Sequence, residues 1–379
     1  MQLNRRCTYC EFCESKEKDI YYMKKAIELA KNGEGFVNPN PLVGCVIVKD
    51  SNIIGKGYHE KFGSNHAEVN AINSAKQSLK DSTLYVNLEP CSHYGKTPPC
   101  VDKIIQNKIK RVVISTLDPN PLVCGNGVKK LKDNNIDVTV GILEDEARDL
   151  NEAFFYHIKN KRPLCIVKSA VSLDGKIATK SLESKWISNE SSRYLTHKYR
   201  NKYQSIMVGI NTVLNDNPLL TCRLNQEKVS HPTRIVIDTH LKLPLNSNLV
   251  KDKTSKTIVF TCCKESIKLS MLKENNVETI ISPSKNNLVD LEFVMYKLGE
   301  LNIDSVLVEG GATLNDSLFR NKLVDKVKLF LSPKIIGGKD APTFVSGEGI
   351  NHLSDSTQLT INNVTLIDGD ILIESDVLN

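Results

Sequence analysis

The sequence predicts an α/β protein built as two consecutive domains. Three observations carry this. Short β-rich apolar runs alternate with amphipathic helical stretches, which implies layered α/β units with largely parallel sheets. A polar segment, Lys159 to Pro163 (KNKRP), interrupts the pattern. After it the alternation starts afresh.

In the first half, Ile20, Met23, Ile27 and Ala30 share one helical face, and Asn32-Gly33 ends that helix. Residues 42–48 and 52–58 read as strands joined at Asp50-Ser51. A helix over 67–79 and a strand over 83–88 follow. Pro98-Pro99 opens another helix, because proline is tolerated in a first turn. Then come a strand at 111–115, a helix at 128–134, a strand at 137–140 and one long helix at 144–159. Beyond the break the pattern gives a strand at 164–171, a helix at 190–203 and strands at 205–209, 234–238, 257–261 and 279–282. A helix at 288–298, a strand at 304–309 and a helix at 313–320 continue it. Residues 327–331, 359–367 and 370–373 read as an antiparallel finish turning at Asp368-Gly369.

Composition excludes several classes. Apolar residues make up 40% and charged residues 25% of 379, ordinary for a soluble globular chain and unlike a collagenous or disordered one. No apolar run approaches the ~20 residues of a membrane-spanning helix, and residues 1–13 lack the apolar core of a secretory signal. The net charge of +6 comes from 50 basic and 44 acidic residues, scattered rather than gathered into a nucleic-acid-binding patch. Eleven cysteines are too few for a disulfide scaffold. The expected setting is therefore the reducing cytoplasm, where spaced cysteines read as metal ligands or small core residues. Cys45, Cys165 and the Cys262-Cys263 pair fit the latter.

The chemistry concentrates first at His66-Ala67-Glu68, Pro90-Cys91 and Pro99-Cys100. One imidazole and two thiolates suit a zinc ion with a fourth position open to water. Zinc lowers the pKa of that water towards ~7. Glu68, two residues from His66, can face the same pocket without ligating and move a proton from water to a leaving amine. Cys100 at a helix N-terminus is favoured as a thiolate. His-x-Glu followed by Pro-Cys and a second Cys is the pattern of the zinc nucleobase deaminases. Here eight residues, not two, separate the cysteines.

That longer spacing, with His66-Ala-Glu-Val, the string Asn38 to Val48 (NPNPLVGCVIV) and the string Glu89 to Cys100 (EPCSHYGKTPPC), closely resembles the bifunctional riboflavin-biosynthesis deaminase/reductase family. The resemblance runs from about Asp19 to the C-terminus. It implies a cytidine-deaminase-like α/β/α domain over 19–160 and a dihydrofolate-reductase-like α/β domain over 161–379, preceded by a flexible extension at 1–18. It also implies one zinc per chain at His66, Cys91 and Cys100, with Glu68 catalytic. Asn40, His59, His93, Lys96, Asp118 and Asn120 would line the deaminase substrate site. The implied substrate is a diaminopyrimidinone bearing a ribosylamino 5-phosphate, whose 2-amino group becomes an oxo group.

In the second half, Val308-Glu-Gly-Gly-Ala-Thr-Leu314 joins a strand to a helix, a place where glycine backbone and helix N-terminus can meet phosphate. It lacks the Gly-x-Gly-x-x-Gly fingerprint. The same family resemblance, carried by the strings at 168–178, 211–223 and 331–338, implies an NADPH-dependent reductase that converts the ribosyl to a ribityl chain. By it, Ala170, Trp186, Thr212, Asp216, Thr239, Gly311, Ala312, Thr313, Leu314, Asn315, Asp316 and Ser317 would contact NADPH. Lys168, Ser184, Arg200, Leu220, Arg223 and Glu309 would contact the ribosyl substrate, with Lys168 and Glu309 the candidates to polarise or protonate the sugar. Guanidinium groups suit a substrate phosphate.

Two other readings compete. A tRNA-adenosine-type deaminase would share His-x-Glu and Pro-Cys but would not need residues 164–379. A zinc-stabilised binding protein would make Glu68 incidental. Cys7, Cys10 and Cys13 offer three thiols for a further metal site. The expected partners are a small phosphorylated pyrimidine and further copies of the chain, with neither nucleic acid nor membrane.

Overall fold

The computed structural model describes residues 8–94, 98–120 and 123–378, and for residues 8–13 the backbone alone. The chain divides into two compact units, 1–159 and 160–379. The first runs α1 (Thr8–Ala30), β1 (Gly44–Lys49), β2 (Asn52–Tyr58), α2 (Ala67–Ser74), β3 (Thr83–Leu88), α3 (Cys100–Gln106), β4 (Arg111–Thr116), α4 (Asn126–Asp133), β5 (Asp137–Val140), α5 (Glu144–Leu150) and α6 (Glu152–Asn160).

The sheet order is β2-β1-β3-β4-β5. It is mixed rather than largely parallel: β1 pairs antiparallel with β2 and β3, while β3, β4 and β5 are parallel. Successive strand side chains point to opposite faces. Cys45, Ile47, Leu84, Val86, Val112 and Ile114 therefore pack against Ala67 and Ala71 of α2, Val101 and Ile104 of α3 and Leu131 of α4. Val46, Val48, Tyr85 and Val113 pack against Tyr22, Met23, Ala26 and Ile27 of α1 and Ala147 of α5. Helices on both faces explain why these strands are apolar without alternation. α1 lies so close that a Cβ on Gly44 would stand 2.0 Å from the Ala26 carbonyl oxygen. Its register is pinned by the buried Asp19, which accepts both Arg111 guanidinium nitrogens (2.8 and 2.7 Å) and the Tyr85 hydroxyl (2.9 Å).

Three elements differ from expectation. The first helix spans Thr8–Ala30, longer at its start than the face from Ile20 to Ala30. The 67–79 helix stops at Ser74, where Ala75 turns extended. The expected helix at 144–159 is two helices broken at Asn151. The buried Asn151 side chain accepts from the Leu42 backbone N–H (2.7 Å) and donates to its carbonyl (2.9 Å). A side chain serving a distant backbone is not visible in local periodicity.

The second unit runs β6 (Leu164–Ser172), α7 (Glu190–Lys202), β7 (Ser205–Gly209), α8 (Ile210–Asp216), β8 (Thr233–Ile237), α9 (Asn248–Lys251), β9 (Thr257–Thr261), α10 (Ile267–Glu274), β10 (Val277–Ile281), β11 (Ser284–Lys285), β12 (Leu288–Val289), α11 (Leu291–Glu300), β13 (Ser305–Val308), α12 (Ala312–Arg320), β14 (Lys326–Ser332), β15 (Gln358–Ile367) and β16 (Asp370–Leu378). Its main sheet has the order β10-β9-β8-β7-β13-β6-β14-β16-β15. The strands from β10 to β14 are parallel, and β16 and β15 add antiparallel at the end. One face buries Cys165, Val167, Met207, Ile235 and Phe260 under α11 and α12. The other buries Ile206, Val208, Val236 and Val259 under α8 to α10. These three helices, 7, 4 and 8 residues long, are too short for the periodicity that sequence reading relies on. α11 starts at Leu291, not 288, because Asp290 caps it by accepting from the Glu292 and Phe293 N–H groups. Among the described residues, no helix is long and apolar enough to cross a membrane.

Candidate active sites

In the first unit, His66 is the N-cap of α2, Cys91 follows β3, and Cys100 opens α3. The Sγ atoms of Cys100 and Cys91 lie 3.3 and 3.5 Å from His66 Nδ1, and all three donor atoms are within 4.8 Å of one another. Ligands on a tetrahedral zinc, with Zn–N near 2.0 Å and Zn–S near 2.3 Å, stand roughly 3.6 Å apart. The donors therefore fit zinc in both type and spacing. The Cys100 thiol and backbone N–H and the His66 ring hydrogen-bond Cys91 and hold its thiol well below the ordinary range, as a ligand must be. Glu68, in the first turn of α2, is 3% exposed. Burial, then the Cys91 charge, pushes its carboxyl up to about 7. A dication among the three donors draws it back down.

A pocket of about 460 Å³ opens beside this triangle. Asn40, His59, His93, Asp118 and Asn120 line it with His66, Glu68 and Cys91, so these sequence-predicted residues come together. Lys96 lies outside the described residues, as do Cys7 and the side chains of Cys10 and Cys13. His59 has a fixed tautomer. Its Nδ1–H donates to the Asn65 carbonyl (3.0 Å), which leaves Nε2 to accept from the Asn40 amide (3.1 Å) and orients that amide. Burial lowers the His59 pKa. Burial raises that of Asp118.

Glu89 was not legible as a site residue. Its carboxylate accepts four backbone N–H groups, from Asp118, Gly125, Gly127 and Val128, at 2.9 to 3.3 Å. It thereby fixes the loop that carries Asp118 and Asn120. Gly127 permits this, since a Cβ there would stand 2.4 Å from the Pro90 carbonyl. The only sequence signal was an acidic residue at the end of an apolar strand. Phe62, Phe154 and Ile158 complete the apolar wall.

In the second unit, a pocket of about 730 Å³ lies at the carboxyl ends of β7, β8 and β13, the usual crevice of an open parallel sheet. Thr212, Thr239, Gly311, Thr313, Leu314, Asp316 and Ser317 line it, as do Lys242, Lys285 and Arg320, which sequence reading did not single out. Other expected cofactor residues stand elsewhere. Asn315 is fully buried and its amide donates to the Phe344 carbonyl (2.9 Å), because with Ala312 and Leu318 it faces the protein interior. Ala170 on β6 and the exposed Asp216 on α8 are outside the lining. Trp186 is 61% exposed, with the Arg193 guanidinium 4.7 Å from its ring.

The expected substrate residues centre on an ion pair. Arg200 of α7 grips Glu309, at the end of β13, through Nε–Oε1 (2.7 Å) and Nη2–Oε2 (2.8 Å). Burial alone would raise the Glu309 carboxyl, but the Arg200 and Lys168 charges outweigh it and hold the group down to about 2. Lys168 sits 5.4 Å from the Phe330 ring centroid, and burial lowers its pKa. Leu220 is buried with φ +54°, Arg223 is exposed, and Ser184 closes a turn onto the Ile187 N–H.

Both units match known families. The cytidine and deoxycytidylate deaminase zinc-binding region covers residues 16–116. The RibD C-terminal domain covers residues 163–373, more than half of the chain. The chain belongs to the RibD family. A riboflavin biosynthesis protein RibD of Actinobacillus pleuropneumoniae is 44% identical, over 95% of this chain and 96% of its own. That of Escherichia coli K12 is 36% identical, over 93% of this chain and 98% of its own. The crystal structure of a Thermotoga maritima diaminohydroxyphosphoribosylaminopyrimidine deaminase/5-amino-6-(5-phosphoribosylamino)uracil reductase is 40% identical, with a TM-score of 0.87, covering 96% of this chain and all of that one. An Acinetobacter baumannii RibD is 34% identical, with a TM-score of 0.88 and the same coverage. As a RibD, the chain is a bifunctional enzyme of riboflavin biosynthesis, a deaminase and a reductase, with zinc as the cofactor of the first activity and NADPH of the second. Because the RibD match occupies residues 163–373 and the full-length relatives share both halves, the tRNA-deaminase and binding-protein readings are not favoured.

Proposed function

We propose that residues 19–160 deaminate a ribosylaminopyrimidine 5-phosphate and that residues 161–379 then reduce its ribosyl group. The observation that carries the first step is Glu68, buried beside the His66–Cys91–Cys100 triangle at the wall of the 460 Å³ pocket. Zinc, when bound, supplies an acidified water. Glu68 takes a proton from water and returns it to the departing 2-amino group, so water is consumed and ammonia leaves. Asn40, oriented by His59, and Asp118, on the loop fixed by Glu89, hold the ring's polar edge, with His93 towards the phosphate and Lys96 the sequence's candidate to join it.

For the second step NADPH supplies hydride to C1′. The pocket lined by Thr212, Thr239, Gly311, Thr313, Leu314, Asp316 and Ser317 receives the cofactor, and Ala170, Asp216 and Trp186 remain candidates for further contacts with it. A carboxyl held near 2 is an anion at neutral pH, so Glu309 is no proton donor. Lys168 is the group left to hand a proton to the sugar oxygen as C1′ is reduced, while Arg200 and Arg223 take the phosphate. The enzyme works in the cytoplasm as a homo-oligomer, and the exposed Ile361, Val364 and Leu366 of β15 offer the apolar face for self-association. An assay of the purified chain on the diaminopyrimidinone phosphate, with and without NADPH, tests the whole scheme. It should give the deaminated uracil without cofactor and the ribityl product with it. Failure to release ammonia in either case would overturn it.

A further inference from the structure

We propose that His197 is a positioning residue of the reductase: it ties the 221–223 segment to α7 so that Arg223 meets the substrate phosphate beside Arg200. The inference deepens the reductase reading above and rests on it. Three consecutive residues are held by one face of α7. The Arg223 backbone N–H donates to His197 Nδ1 (3.2 Å), and the Cys222 thiol donates to the His197 carbonyl (3.4 Å). One turn further, Arg200 Nη1 donates to the Thr221 carbonyl (3.2 Å). Residues three apart on a helix share a face, so His197 and Arg200 grip the segment as a pair. Just before it, Leu220 is buried and takes the left-handed backbone region at φ +54°.

The two arginines differ in what they have left to offer. Arg200 is already neutralised by Glu309. Arg223 makes no ion pair among the described residues and is exposed. Its guanidinium is the charge available to an incoming phosphate, and its placement depends on the backbone bond to His197. That bond needs a ring lone pair at Nδ1, which puts the ring proton on Nε2. A charged ring would set N–H against N–H and add a third cation between two guanidinium groups. Burial and the charges of Arg200 and Arg223 lower the His197 pKa to about 4, consistent with this neutral form. Glu309 and Lys168, the other charged groups that face it, act in opposite directions.

The experiment uses the full chain, supplied with deaminated uracil 5-phosphate substrate and NADPH. His197→Phe removes the acceptor, while His197→Asn places an amide oxygen near where Nδ1 stood. His197→Phe should raise the KM for the phosphorylated substrate about tenfold, with kcat within about twofold and the KM for NADPH unchanged. His197→Asn should return that KM to within about threefold of wild type. The dephosphorylated substrate should show no such difference, because it never engages Arg223. An equal loss with both substrates, a parallel rise in the KM for NADPH, or an asparagine as damaging as phenylalanine would each overturn the assignment. If wild-type protein fails to reduce the substrate, the proposed reductase activity itself falls and the role of His197 with it.

Discussion

The zinc triangle and the Arg200–Glu309 cluster are both charged sites at strand ends, yet they are held together differently. The triangle draws on residues 66 to 100, and its donors, one imidazole and two thiols, touch one another. The cluster draws on Lys168, Arg200, Arg223 and Glu309, spread over β6, α7, the 221–223 segment and the end of β13, and one bidentate ion pair, Arg200–Glu309, lies at its centre. One site is completed by an ion. The other is part of the architecture of its unit. Breaking the first should therefore cost activity with little stability, and breaking the second should cost both.

The largest expected effect comes from Glu68→Gln. Removing a proton-transfer group costs about 10² to 10⁴ in rate, so deamination should fall by that factor while reduction of supplied deaminated substrate stays within about twofold. Chelating zinc should abolish ammonia release with the same selectivity. Deamination surviving in the variant would end the acid/base role of Glu68. Loss of reduction in the same folded samples would show that the two sites are not independent.

Glu309→Gln tests the other side. It leaves the Arg200 guanidinium buried without its carboxylate, and breaking such a pair costs about 3–5 kcal/mol. Urea melts of the full chain should show a lower midpoint for loss of reductase activity, with deaminase activity melting as in wild type. An unchanged midpoint would place Glu309 with Glu68, as a residue of chemistry alone. A smaller effect is expected from Asn151→Ala. It strips the buried Leu42 N–H of its acceptor, at about 1–3 kcal/mol. Here the deaminase should melt earlier while reduction is untouched. The reverse pattern would mean that the α5–α6 break does not stabilise the first unit.

The same contrast governs what the sequence could reveal. His66, Glu68, Cys91 and Cys100 were legible because zinc demands particular donor types, and strand β3 and two helix starts bring them together over a short span. Most of the β-strands were legible because two-sided burial makes them continuously apolar. Glu89, Asn151 and His197 were not, because each acts on the backbone of a segment remote in sequence, and backbone N–H groups leave no residue signature. That the Asn315 side chain turns inward was not legible either, for a related reason. The Gly-Gly turn marks where α12 starts, but which of its residues face the pocket depends on packing against the protein interior.

The smallest effect is one of pH, and its sign follows from proton counting. His197 is held near 4 in the folded protein by burial and by Arg200 and Arg223, against about 6.5 when unfolded. Between those values the unfolded chain binds more protons, so the stability of the second unit should fall as pH drops from about 6.5 to about 4, and no further below that. Glu309, held near 2 against an unfolded value of about 4.5, adds stability above 4.5 that is lost as pH falls towards 2. The two windows barely overlap. A single titrating proton changes stability by at most about 1.4 kcal/mol per pH unit, and partial exposure of the ring makes the observed slope smaller. Urea midpoints at pH 7, 5.5 and 4.5 should thus decline more steeply for wild type than for His197→Asn, whereas below pH 4 the two should run parallel. Equal slopes across the upper window would show that the ring is not held neutral beside Arg200 and Arg223.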